Sequence, residues 1–217
     1  MNKVYLLLFL LSSLIIGGCL GQDEVPVYYN VNGEVVENGE PVFAAQIHFR
    51  NNLEPGGFRS EVIGDSVTIG FNTTVDGVYE ASIFRLQADS VLSTFFEDTL
   101  KAGRQSILIP DSLLSNGIFG YEVSSELEYL GASLFLVNKP DSALIGTLPF
   151  TTTNYAGEFT LDVRQMAIGQ EFNFTGGDSF EITDSLEIIV IKDSRVRAVE
   201  RVKVEPNEEN YFQISLD

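Results

Sequence analysis

Tryptophan is missing from this chain, cysteine and histidine occur once each, and Lys plus Arg total 13 against 31 Asp plus Glu. The lone Cys19 excludes a disulfide within the chain. The lone His48 leaves no second imidazole or thiolate to complete a zinc site or to support a hydrolytic triad. Without tryptophan, ring stacking on a glycan falls to Tyr and Phe. Tyr28-Tyr29 and Phe95-Phe96 are adjacent pairs, in which a strand turns one ring outward. The formal net charge of −18 repels nucleic acid and anionic headgroups, so no nucleic-acid partner is expected. Long apolar runs are scarce too. The one at Val4 to Ile16 is shorter than the roughly 20 residues a spanning helix needs.

That run sits where a secretory signal belongs. Asn2-Lys3 supplies a short polar start with one cation, and Gly17, Gly18 and Cys19 end the apolar stretch before Gly21, Gln22, Asp23 and Glu24. The stretch Ile16-Gly17-Gly18-Cys19 resembles the lipobox read by lipoprotein signal peptidase, an aliphatic residue and two small ones before the cysteine that receives diacylglycerol. The resemblance implies a signal peptide over 1–18, cleavage before Cys19 and a lipidated tether over 19–26 that attaches the protein to a membrane. Loss of Lys3 takes the formal charge from −18 to −19. A lipidated sulfur also leaves no thiol for metal or nucleophilic chemistry. Leu20 is not the aspartate that retains lipoproteins in the inner membrane of enteric-type bacteria, which points to the outer membrane. Asp23 and Glu24 resemble the acidic export tag of surface lipoproteins, and the periplasmic or exterior side stays open.

Past the tether, short runs rich in Val, Ile, Phe, Tyr and Thr alternate with Gly, Asn, Asp and Pro, and no apolar stripe keeps a helical period across three turns. Strands are predicted at 27–36, 42–50, 66–72, 78–86, 91–96, 105–109, 118–124, 130–137, 158–163, 180–183, 187–191, 197–204 and 211–216, with one helical turn within Asp111 to Ser115. The expected fold is all-β: tandem immunoglobulin-like antiparallel β-sandwich modules, one over 27–137 with its core near 60–137 and a second over 138–217. In Val42 to Arg50, alternation sets Phe43, Ala45, Ile47 and Phe49 towards the core and Gln46, His48 and Arg50 towards solvent. Ile188 to Ile191 is continuously apolar, as a strand covered on both faces would be.

Two stretches carry likenesses. Val31-Asn-Gly33-Glu-Val35, Gly39-Glu-Pro41-Val42 and Ala45-Gln-Ile47 are similar to the opening hairpin of carboxypeptidase-regulatory-like sandwich domains, and Tyr155-Ala-Gly157-Glu-Phe159-Thr-Leu161 resembles a later piece of that family. That family keeps the pieces close together, so either a module is inserted between them here or one match is chance. Val78-Tyr-Glu-Ala-Ser-Ile83-Phe84, Asp98-Thr-Leu-Lys-Ala102-Gly103 and Asn116-Gly117-Ile118-Phe119-Gly-Tyr121 resemble the immunoglobulin-like domain of flagellar hook-assembly proteins, whose relatives recur in secreted Bacteroidota-type proteins.

Candidate sites follow from residue type. Asp178, Glu181 and Asp184 are the best oxygen set for a cation such as calcium, against a plain glycine turn. Arg195, Arg197, Arg201 and Lys203 form a basic stripe suited to an anionic partner, or a charged edge that meets the chain's own acids. Ser66, Ser90, Thr99, Ser112, Ser142 and Ser185 each follow an aspartate and precede an aliphatic or small residue. This pattern resembles the O-glycosylation acceptor of exported Bacteroidota proteins and is equally turn chemistry. No cofactor, no assigned metal and no catalytic residue is expected. The expected role is a non-enzymatic, lipid-anchored structural or ligand-binding protein of the outer membrane whose partner is an envelope protein or a glycan. The alternatives are an accessory subunit of a transport, secretion or adhesion complex and, third, a glycan-active hydrolase using paired carboxylates.

Overall fold

The computed structural model describes residues 30–54, 66–85, 91–162, 166, 168–173, 179–205 and 208–216. The expected signal peptide over 1–18 and the lipobox-like Ile16, Gly17, Gly18 and Cys19, the Tyr28-Tyr29 pair, Ser90 and Asp178 lie outside them. Strands follow in the order β1 (Asn30–Glu37), β2 (Glu40–Pro41), β3 (Gln46–Glu54), β4 (Ser66–Thr73), β5 (Gly77–Arg85), β6 (Ser93–Leu100), β7 (Gly103–Pro110) and β8 (Gly117–Ser125). They continue with β9 (Tyr129–Val137), β10 (Thr151–Thr152), β11 (Glu158–Leu161), β12 (Glu171–Asn173), β13 (Ser179–Lys192), β14 (Arg195–Lys203) and β15 (Glu209–Ser215). Short 3-10 turns occupy Asp111–Leu113 and Asp141–Leu144. The chain is all-β, in several mainly antiparallel sheets.

The first sandwich joins the two ends of the described chain. β1 lies between β11 and β15, antiparallel to the first and parallel to the second. The facing sheet runs β10, β3, β13, with β12 and β14 both pairing with β13. Val31 and Val35 of β1, Phe159 and Leu161 of β11 and Ile214 of β15 meet Ile47 and Phe49 of β3 and Ile182, Leu186, Ile188 and Val190 of β13. Asn38 and Gly39, with φ of 52° and 80°, make the two-residue turn between β1 and β2. Gly33 lies beneath the Phe159 ring. A Cβ there would stand 2.5 Å from Phe159 Cζ and 2.5 Å from the Phe212 carbonyl oxygen, so glycine is what admits the ring.

Between β3 and β10 the chain builds a second unit. β4 and β7 pair with each other, and β6-β5-β8-β9 forms the opposing sheet. Ile69, Ile107 and Ile109 pack against Tyr79, Ala81, Ile83, Phe119, Val123 and Val137. The strand pairing therefore crosses the expected boundary at 137/138: β3 bonds to β13, and β1 bonds to β11 and β15. Val31 to Glu34 and Glu158 to Leu161, far apart in the chain, are hydrogen-bonded neighbours, and the stretch from Val78 to Tyr121 lies in the intervening unit. We call these the base and the inserted unit.

Two local expectations are corrected. Phe43 does not join the core, because the chain turns at Ala44, whose φ is 55°, before β3 begins; its ring instead stacks on Tyr155 at 4.2 Å near the surface. His48 is not solvated. The segment Asn138 to Phe150 crosses the outer face of the β3–β13 sheet, with Leu144 packed on Ile189 and Ile191, and the imidazole is 0% exposed. The same crossing explains why β13 is apolar on both faces.

Candidate functional site

The joint between base and inserted unit holds most of the buried charge. Both 3-10 turns begin after a proline and read Pro-Asp-Ser: Pro110-Asp111-Ser112 before Leu114, and Pro140-Asp141-Ser142 before Leu144. Proline fixes an extended entry, the aspartate opens the turn and the leucine is driven inward, so both leucines are fully buried. The aspartates then face cations. Lys139, 2% exposed at its side chain, donates from Nζ to Asp111 Oδ1 and to the Asp111 carbonyl at 3.2 Å. Arg50 on β3 donates to Asp141 and, at 2.5 Å, to Glu187 of β13.

Arg85, at the end of β5, completes the joint. It donates to the carbonyls of Pro149 at 2.9 Å and Phe150 at 3.3 Å and to Ser115 Oγ at 3.3 Å, and its guanidinium lies 4.7 Å from the Phe150 ring centroid. Burial lowers its pKa to about 10, which leaves it charged at neutral pH. Phe150 meets Phe49 edge-on at 4.9 Å, and the Lys139 amide donates to Asn116 Oδ1 at 2.5 Å. His48 lies in this setting with neither ring nitrogen hydrogen-bonded. Burial first, then Arg85 and Lys139, lowers its pKa from 6.5 to about 4, so the imidazole is neutral at physiological pH.

At the other end of the inserted unit an open cleft of about 480 Å³ is lined by Val78, Glu80, Glu97, Ser124, Glu126 and Leu127, among others. Val78 is 55% and Leu127 73% exposed, so the cleft mixes uncovered apolar surface with carboxylates. Beside it, the buried Tyr79 hydroxyl donates to the Val75 carbonyl at 2.9 Å and to Glu128, which also accepts from the Thr74 amide at 2.9 Å. The hydrogen bonds from Thr74 and then Tyr79 hold the Glu128 carboxyl below the usual range. Glu80 and Glu97 stand directly opposite across β5 and β6, a carboxylate pair of the kind a hydrolase needs. Both are exposed, whereas a glycosidase general acid sits in a sheltered pocket.

The sequence candidates are scattered over the molecule. Glu181 is exposed and registers with Glu54 on one side and Glu171 on the other, while Asp184 has its own cation, Lys203, at 3.5 Å. Among the described residues no group of three His, Asp or Glu side chains is placed to hold a metal ion. In the basic stripe, Arg197 binds Glu37 at 2.5 Å, and Lys203 meets Glu205 at 3.1 Å, which raises the lysine pKa. Arg195 and Arg201 are exposed on the same strand. Thr99, Ser112 and Ser142 are exposed, Ser185 is half-buried and Ser66 opens β4. Two of the aspartates in that repeated pattern, Asp111 and Asp141, are acids of the joint, beside Glu187. The repeat of Pro-Asp-Ser was the one sequence signal that could have marked them, but their partners Lys139 and Arg50 carry no motif. No family model matches the chain, and no curated protein or solved structure is significantly similar to it.

Proposed function

We propose that this protein is a lipid-anchored component of the outer membrane whose base orients the inserted β unit, as a non-enzymatic structural or binding module. The joint carries the reading. Ion pairs and hydrogen bonds from Arg50, Arg85 and Lys139, with Phe49 and Phe150 packed beside them, fix one unit on the other, which a protein that only presents a surface requires. The tether fits as well. From Cys19 to the start of β1 at Asn30 the chain reaches at most about 35–40 Å, so a lipid on Cys19 would keep the base close to the bilayer surface. Fractionation tests the reading. The wild-type protein is expected to take up labelled fatty acid and enter the detergent phase, and Cys19→Ser to do neither; a serine variant still held in the membrane would defeat the anchored role.

A second reading, an accessory subunit of an envelope complex, is supported by the cleft, whose exposed Val78 and Leu127 among three glutamates suit an apolar, cation-bearing segment of another protein. A stoichiometric partner recovered from solubilised envelope, and lost in Val78→Lys/Leu127→Lys, would select it.

A further inference from the structure

We propose that the joint is an acid-sensitive latch with His48 as its sensor: protonating this imidazole loosens the inserted unit and the 138–150 connection from the base. The proposal stands on the geometry of the joint and does not depend on lipidation. The imidazole is 0% exposed, and both of its nitrogens lack hydrogen-bond partners. A neutral ring tolerates that site. An imidazolium would bring a charge and a second N–H donor into it, and among the described residues no carboxylate accepts from either nitrogen.

The surrounding charges are already matched or of the wrong sign. From β5 comes Arg85 and from the connection Lys139, both cations, and Arg50 lies two residues along the same strand on the same face. Glu187 of β13 and Asp141 of the second 3-10 turn are both engaged by Arg50, and Asp111 of the first by Lys139. Across the ladder His48 registers with Ile189 on β13, and β10 begins beside it with Thr151 opposite Ile47; none of these titrates. Protonation thus sets a base cation against cations brought by the inserted unit and its connection, and the repulsion falls on the contacts that close the joint.

The sign follows from linkage. An opened His48 takes its proton near pH 6.5, whereas the closed one waits until about 4, so closure has its full strength above 6.5 and weakens as the pH falls towards 4. Between pH 7 and pH 5, still above the range of most carboxylates, the closing equilibrium should fall roughly 20-fold.

Because His48 is the only histidine, its ring resonances can be followed without assignment in the intact mature chain. The expected result is an imidazole that stays neutral through pH 5. Amide hydrogen exchange, corrected for intrinsic rates, should lose about 20-fold protection at 115–118 and 138–150 over pH 7 to 5 while β1 and β15 keep theirs. His48→Leu should remove that loss. A ring that titrates near 6.5 with unchanged protection, or parallel losses in wild type and His48→Leu, would overturn the latch. The ring titration decides the question even if the variant does not fold.

Discussion

At the level of single residues, the two members of the Lys139–Asp111 pair are not equivalent, because the lysine side chain is 2% exposed and the aspartate 35%. Removing the carboxylate strands an ammonium in a dry site. Removing the ammonium leaves an aspartate that water still reaches, and a methionine side chain occupies much of the lysine's volume. Asp111→Asn is therefore expected to cost about 2–3 kcal/mol in urea unfolding, and Lys139→Met under about 1 kcal/mol. Equal costs would mean that the pair contributes as an exposed ion pair does. The same scale shows what a sequence hides. Alternation correctly set Gln46, His48 and Arg50 on one face of a strand, but whether that face is wet depends on a connection 90 residues downstream whose position no local pattern encodes. Phe43 kept the right parity and failed for another reason: a positive φ at Ala44 breaks the strand period between it and Ala45.

Whole elements were more legible than their partners. Runs of β-branched and aromatic residues between turn residues placed the long strands within a few positions, but split β13 into 180–183 and 187–191, where the strand runs on through Ser185. The two- and three-residue strands β2, β10 and β12 are too short to show any period. Register is a different quantity, since it depends on which strand lies alongside. Here it sets Glu181 opposite Glu171 of β12 on one side and in register with Glu54 of β3 on the other, a placing of like charges that disfavours a sheet. Glu181→Thr should relieve part of that cost and suit a strand, raising stability by about 0.5 kcal/mol in dilute buffer. The electrostatic part of the gain should vanish near 0.5 M salt, where screening acts within about 5 Å, and leave only the part due to strand propensity. A gain that ignores salt would trace to strand propensity alone.

For the molecule as a whole, the question is whether base and inserted unit behave as one body. Their cores are nearly separate, but Ile118 of β8 belongs to the cluster of the base, while its neighbour Phe119 belongs to the cluster of the inserted unit. Adjacent residues on one strand thus hold both cores, and the Asn138 to Phe150 segment ties them again from the outer face, with the Phe150 amide bonded to the Ile47 carbonyl at 2.9 Å. Base formation also requires ends of the chain that are separated by the whole inserted unit to find each other, an entropic demand that a folded insert with a fixed joint reduces. At pH 7 the two units should therefore unfold in a single transition, seen alike by far-UV circular dichroism and by tyrosine emission, which is available because tryptophan is absent. Ile118→Ala removes the shared contact at a cost of about 2–4 kcal/mol and should separate the curves, with the inserted unit, which has the smaller buried cluster, melting first. Two resolved transitions already in the wild type would show that the joint couples position but not stability.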